Sequence, residues 1–154
     1  MMRGDIMQNM NNNCRQWASA HIKGGCEIPA LHGTAKFQQT PEGVLITVRV
    51  SGLPDCGGSD FFALHIHEGD GCGGVDFSET GSHYDPCDKE HPCHAGDLPP
   101  LLSCKGKAYM SVLSGRFRLK DIIGRTLVIH SHPDDFHTQP AGNAGKKIAC
   151  GLIC

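Results

Sequence analysis

The strongest secondary-structure signal in the chain is the stretch VLITVRV at residues 44–50. Its β-branched residues favour an extended strand, because they pack well on a pleated surface. Thr47 and Arg49 share one face, since side chains of a strand alternate between its two sides. The preceding residues, TPEG at 40–43, are typical of a hairpin turn. This stretch therefore predicts a β-strand that is entered through a hairpin.

Short segments of the same kind recur along the chain from residue 17 onward. They cover residues 18–23, 32–40, 61–68, 107–113, 125–130 and 146–153. A weaker segment spans 98–104, where Pro99 and Pro100 indicate a sheet edge. Only residues 119–123 favour a helix. About eight short strands predict an all-β antiparallel sandwich or barrel.

Length, composition and charge limit the class of protein. A chain of 154 residues suits one domain, and 39% hydrophobic residues exclude a disordered or collagen-like chain. The net charge is −2 and no basic run occurs, which argues against a nucleic-acid partner. No apolar run approaches the roughly 20 residues of a membrane span. We expect a disordered leader at residues 1–16 and one domain at 17–154.

The N-terminus and the cysteine content point to different compartments. Residues 1–13 are mostly polar and lack the apolar core of a signal peptide, which favours the cytoplasm. Nine cysteines favour an oxidising compartment instead, and thus an exported or periplasmic protein. The sequence leaves both alternatives open.

Two long segments, residues 69–96 and 131–145, lack a strand pattern, and loops of such length are usually functional. Just before the first one, His65 and His67 alternate on a predicted strand, so both imidazoles project from one face. Together they can meet one metal ion. The alternative is that they are two polar residues on a solvated face.

A second cluster places four possible metal ligands within a stretch of fifteen residues, in and directly after the first long segment. It consists of His83, His91, His94 and Asp97. Three imidazoles and a carboxylate suit a tetrahedral zinc site, and a bound metal would order this loop. The alternative is a histidine-rich surface loop. His130 closes the apolar run at 126–129, and by itself it fits a rim position.

Several runs taken together resemble the copper/zinc superoxide dismutase family. They are LHIHE at 64–68, GSHYDP at 81–86, HAGDL at 94–98, IGRTLVIH at 123–130 and GNAGKKIACG at 142–151. They occur in the order of that family over roughly residues 18–153, and the five-residue step from His67 to Cys72 is similar to the shorter, bacterial type. The resemblance implies an eight-stranded Greek-key antiparallel barrel, an immunoglobulin-like sandwich, with two long functional loops.

The resemblance also implies two metal sites that share one imidazole. Copper would be held by His65, His67, His83 and His130, and zinc by His83, His91, His94 and Asp97. Asp134 matches the carboxylate that links a copper histidine to a zinc histidine. Cys72 and Cys150 match the family's disulfide, which in the chain-entropy model contributes about 4 kcal/mol.

The activity implied by the resemblance is antioxidant. Superoxide would be converted to dioxygen and hydrogen peroxide by cycling copper, with His83 as the zinc-supported bridge that carries a proton. The alternative is a copper- and zinc-binding module on the same fold with little or no turnover, since fold alone does not decide function. A homodimer is also left open.

The chain departs from the family pattern at four points. His91 and His94 are only three positions apart, where the family has a longer insertion. Lys147 stands where the family has an arginine beside copper, and we expect it to attract superoxide. Ala141 replaces a small hydroxyl residue, and the segment from His130 to Lys147 is short.

Two cysteines beside the predicted zinc loop have three open interpretations. Cys87 and Cys93 could form a second disulfide, or one could replace an imidazole on zinc. The third interpretation, that both are incidental thiols, is slightly favoured.

Overall fold

The computed structural model describes residues 15–55 and 59–154. Of the predicted leader, residues 1–14 lie outside the described residues. Arg15 and Gln16 are exposed and belong to no strand, although the Gln16 carbonyl accepts a 2.8 Å hydrogen bond from the Gln39 amide. The division of the chain at residue 17 stays a prediction.

The described part of the chain is built almost entirely of strands. They are β1 (Trp17–Gly24), β2 (His32–Thr40), β3 (Gly43–Ser51), β4 (Phe61–Phe62), β5 (Leu64–His67), β6 (Leu101–Leu102), β7 (Lys107–Ser114), β8 (Thr126–His130) and β9 (Lys147–Leu152). One residue, Ala63, separates β4 from β5, so the two form a single extended run. The predicted all-β fold with eight strands is therefore confirmed. A 3₁₀ helix (Val75–Thr80) and the short helix α1 (Leu119–Ile122) complete the elements.

Seven strands form one antiparallel sheet in the order β5-β8-β9-β1-β2-β3-β7. At one edge β4 continues β5, and at the other edge β6 lies one tight turn before β7, with Cys104 bridged to Lys107. The short β4–β6 pair therefore brings the two edges together and nearly closes the barrel. Two connections, from β3 to β4 and from β7 to β8, each lead from one side of the sheet to the other, as in a Greek key.

Strand β3 shows why the sequence pattern predicts this fold. Val44, Ile46 and Val48 point into the barrel and are fully buried, while Arg49 is exposed on the outside. Burying each such aliphatic side chain contributes roughly 1.5–3 kcal/mol. The alternation of the strand therefore fixes which of its faces lies inside.

The two long loops cover the outer side of β5 and β8. Leu64 and Ile66 point into the core, yet His65 and His67 on the other face are also buried, at 0% and 2% exposure. The disulfide between Cys72 and Cys150, 78 positions apart, fastens the first loop to β9. Within residues 15–55 and 59–154, no helix is long and apolar enough to cross a membrane.

Candidate metal centre

The first long loop lies directly along β5. Backbone bridges pair His67 with His83 and His65 with Asp97. The Ile66 amide donates a 2.8 Å hydrogen bond to the Gly96 carbonyl. A Cβ on Gly96 would overlap the Ile66 carbonyl oxygen, so only glycine allows this approach. The loop backbone thus brings its histidines and Asp97 beside the two histidines of the strand.

One group of four buried imidazoles forms where β5, β8 and the loop meet. Its members are His65, His67, His83 and His130. One nitrogen from each ring lies within 4.8 Å of the corresponding atoms of the other three. The structure therefore brings together the four residues that the sequence assigned to copper.

The hydrogen bonds of His67 and His130 determine which nitrogens remain as acceptors. His67 Nδ1 donates to the Gly81 carbonyl at 2.9 Å, and His130 Nδ1 faces the Gly145 carbonyl at 3.4 Å. Carbonyl oxygens only accept, so these tautomers leave a lone pair on each Nε2. The two Nε2 atoms lie 3.2 Å apart. Two lone pairs face each other there, an arrangement that a cation between them stabilises.

Burial keeps these two imidazoles neutral. Loss of hydration, together with the charges of neighbouring histidines and of Lys147, outweighs the backbone hydrogen bonds and lowers the pKa of His67 to about 2 and that of His130 to about 3. A proton therefore does not occupy the gap between the two Nε2 atoms at neutral pH. Metal ligation needs this neutral form of imidazole.

A second group forms around the Asp97 carboxylate. It consists of His83, His91, His94 and Asp97, with their ligand atoms within 4.8 Å of one another. Asp97 Oδ1 accepts a 2.8 Å hydrogen bond from His83 Nδ1. Burial raises the pKa of Asp97, but this bond and the charges of the three histidines outweigh burial and lower it overall. Three imidazoles thus converge on an ionised carboxylate.

Asp134 connects the two groups from behind. Its Oδ2 lies 2.8 Å from His65 Nε2 and its Oδ1 lies 2.8 Å from His91 Nε2. Burial opposes ionisation of Asp134, but hydrogen bonds from both histidines hold its pKa well below the usual range. An ionised carboxylate only accepts, so both Nε2 atoms donate. The Nδ1 atoms of His65 and His91 are therefore left as acceptors facing the two groups.

The residues present fit two metal ions. His65 Nδ1, His83 Nε2 and His91 Nδ1 are buried side-chain nitrogens without a hydrogen-bond partner. His91 Nδ1 lies 3.1 Å from Asp97 Oδ2, yet the contact lacks hydrogen-bond geometry. Orphaned buried acceptors are rare, because each loses its hydration without compensation. His83 directs Nε2 at the first group and Nδ1 at the second, so one ring serves both.

A cavity of about 740 Å³ opens onto this centre. His67, His83 and His130 line it, together with Ala141 and Lys147. Burial lowers the pKa of Lys147. The Lys147 ammonium donates to Thr80 Oγ1 at 2.7 Å and to the Gly81 carbonyl at 2.9 Å. That carbonyl also accepts from His67, so the cation lies next to a predicted copper ligand.

Three residues that support the centre escape sequence reasoning. Arg116 donates to the carbonyls of Pro92 and His94, and Gln139 makes two hydrogen bonds with the backbone of His91. Gly142 has φ +65°, and a Cβ there would overlap Asp134 Oδ1. No local pattern marks Arg116 or Gln139. Gly142 belongs to the matched run at 142–151, which is the signal that could have drawn attention to it.

The cysteines of the zinc loop take no part in either group. Cys87 and Cys93 are free and exposed, so the second disulfide considered above is not formed. Neither sulfur belongs to a ligand group. The interpretation of both as incidental thiols agrees with this placement.

Comparison with known proteins agrees with the centre. The family profile described as copper/zinc superoxide dismutase matches residues 31–153. "Superoxide dismutase [Cu-Zn] 1" of Aquifex aeolicus is 39% identical over 136 residues, covering 79% of each chain. The corresponding protein of Caulobacter vibrioides is 33% identical over 88% of this chain and 84% of its own. The chain belongs to the copper/zinc superoxide dismutase family.

A solved structure shares the fold of this copper/zinc superoxide dismutase family member. The Cu/Zn superoxide dismutase from Brucella abortus superposes with a TM-score of 0.76 at 26% identity. The match covers 90% of this chain and 99% of that protein. The nearly closed barrel thus follows that of a copper/zinc superoxide dismutase.

Proposed function

We propose that the two ligand groups hold copper and zinc in a working superoxide dismutase. Copper is assigned to His65, His67, His83 and His130, and zinc to His83, His91, His94 and Asp97. The observation that supports this assignment most directly is that the His83 ring belongs to both groups. Imidazole suits both metals, and a carboxylate beside three imidazoles suits zinc.

The reaction removes superoxide as dioxygen and hydrogen peroxide. Copper held by His65, His67, His83 and His130 would supply the one-electron couple that this disproportionation of two superoxide ions needs. His83 Nε2 is buried and without a hydrogen-bond partner, so it is the atom that takes up one proton and passes it to the peroxide product, whose second proton comes from solvent. His83 Nδ1 stays in the second group, which keeps the ring in place while Nε2 exchanges its proton.

Asp134 orients both sets of ligands. It fixes the ring planes and tautomers of His65 and His91 through its two carboxylate oxygens. Such supporting groups typically contribute 10–100-fold to metal affinity. Asp134 therefore acts on the site without contacting either metal.

Lys147 provides the positive charge that attracts the anionic substrate. Lys147 lines the cavity, and its ammonium donates to the same Gly81 carbonyl as His67. The chain as a whole carries a net charge of −2. A local cation focuses the field within a cavity and raises association rates. A homodimer stays a prediction, as does the boundary of the domain at residue 17.

A superoxide assay combined with metal analysis tests this function. Protein loaded with copper and zinc should bind one ion of each per chain and consume superoxide catalytically. The names of the relatives favour this outcome over a metal-binding module with little turnover. Full metal loading without turnover would reverse that preference.

A further inference from the structure

The zinc loop has little structure of its own to hold its ligands. Residues 84–96 contain only turns and bends, and just two residues separate His91 from His94. Even so, His91 and His94 are buried, with 3% and 8% exposure. Contacts from other parts of the chain must therefore fix the loop. Besides the backbone pairing with β5 and the Asp134 carboxylate, two side chains supply such contacts.

Gln139, in the second long loop, clamps the backbone of His91. Its Oε1 accepts a 2.9 Å hydrogen bond from the His91 amide, and its Nε2 donates a 2.7 Å hydrogen bond to the His91 carbonyl. The side-chain amide of Gln139 thus bonds both the N–H and the C=O of His91, as the backbone of a neighbouring antiparallel strand would. With Asp134 on the His91 ring, residues of the second loop hold His91 at three points.

Arg116 holds the other half of the zinc loop. It lies in the turn after β7, and its Nη1 donates to the carbonyls of Pro92 and His94, each at 3.0 Å. The Asp97 carbonyl lies 3.4 Å from the same nitrogen. A charged donor makes stronger hydrogen bonds than a neutral one. Arg116 thereby draws the backbone of two assigned zinc ligands toward one point.

We propose that Gln139 and Arg116 are positioning residues for zinc, which together hold the short zinc loop in its ligand geometry. The proposal rests on the zinc assignment made above. Both side chains reach the assigned zinc ligands through backbone groups, so they act through His91, His94 and Asp97. By analogy with other groups that orient metal ligands, each should change zinc affinity by about 10–100-fold.

The first test replaces Gln139 with methionine, which keeps the length of the side chain and removes both hydrogen bonds. Gln38→Met is the matched control, since Gln38 is an exposed glutamine on β2. Zinc release to a chromogenic chelator should be about 10–100-fold faster in Gln139→Met and unchanged in the control. Copper release should change much less than zinc release, and the melting temperature of the metal-free protein should stay close to wild type.

The second test reads the ligand geometry directly. Co²⁺ in the zinc position has visible bands that report the number and arrangement of its ligands. Gln139→Met and Arg116→Met should each alter these bands, and Arg49→Met, on the outer face of β3, should not. A role in general stability alone would lower the melting temperature without changing the Co²⁺ spectrum.

The outcomes separate this proposal from the assignment on which it rests. Zinc release and Co²⁺ bands like those of wild type in both variants would overturn the positioning roles, as would equal losses of copper and zinc. His91→Ala should abolish tight zinc binding. If it did not, the zinc assignment itself would be wrong and the positioning roles would fall with it.

Discussion

Lys147 Nζ donates a 2.7 Å hydrogen bond to Thr80 Oγ1, which joins β9 to the last residue of the 3₁₀ helix within the first long loop. The ammonium therefore has a defined position beside the metal centre. Because substrate and cation attract each other, the second-order rate should fall as ionic strength rises. Lys147→Glu should lower the rate by roughly tenfold or more, within the 10–10³ range of electrostatic steering.

The same measurement includes two comparisons. Lys147→Arg should keep or raise the rate, because guanidinium retains the charge and can also bind the anion with a forked contact. Lys36→Glu makes the same charge change on the outer face of β2 and should have a much smaller effect. A second-order rate that changes neither with ionic strength nor in Lys147→Glu would show that Lys147 does not steer the substrate.

Removing the shared imidazole should damage both metal sites. His83→Ala should lower the copper and the zinc content alike, whereas His65→Ala should lower copper far more than zinc, since only His83 belongs to both groups. Metal analysis after dialysis against equal concentrations of both ions measures this. His32→Ala, an exposed change on β2, is the control. Full copper binding by His83→Ala would refute the shared ligand.

Loss of the disulfide should lower the free energy of unfolding more than replacement of any free cysteine within residues 15–55 and 59–154. Removing a native disulfide typically costs 2–5 kcal/mol, and each kcal/mol lowers the melting temperature of a domain of this size by about 2–4 °C. We therefore expect Cys72→Ser to melt several degrees below wild type. Cys26→Ser, at an exposed free thiol, should change little. Peptide mapping that found Cys72 linked elsewhere would contradict the pairing with Cys150.

The metal-free protein should lose stability as the pH falls below about 6.5. His67 and His130 keep pKa values of about 2 and about 3 in the folded protein, against 6.5 when unfolded. Between these values the unfolded chain binds protons that the folded chain does not, so acid favours unfolding. At pH 5 each group should cost about 2 kcal/mol relative to pH 7.5.

Urea unfolding of the metal-free protein across this pH range measures that loss. His67→Gln should flatten the dependence, because it removes one of the buried imidazoles whose pKa is lowered. His32→Gln should leave the slope as it is. A slope equal in wild type and His67→Gln would contradict the depressed pKa of His67.

Gly142 offers a test of the close packing behind the centre. Gly142→Ala combines an unfavourable φ of +65° with overlap on Asp134 Oδ1, and its Cβ would lie 2.6 Å from His91 Nε2. Gly124→Ala shares the positive φ, at +83°, but meets nothing within 4 Å. The strain alone costs roughly 1–2 kcal/mol. Gly142→Ala should therefore melt lower than Gly124→Ala and should also release zinc faster, by chelator competition.

The barrel could be predicted because its signal is local. The alternation in β3 and the turn before it lie within a dozen residues, and neighbouring side chains decide their own exposure. The ligands could be assigned through family motifs, which also lie within short runs. Gln139 could not be assigned, because its hydrogen bonds reach 48 positions back to His91. No pattern in residues 131–145 predicts that the side-chain amide of Gln139 binds the backbone of His91.

The shared carboxylate of Asp134 has a thermodynamic consequence for loading. Any ion that fixes His91 also fixes Asp134, and through it the ring of His65, before the second ion arrives. Linkage requires the coupling to be mutual, so copper must strengthen zinc binding by the same factor by which zinc strengthens copper binding. Metallation of this chain is then a cooperative event, and half-loaded molecules should be scarcer than independent sites would give.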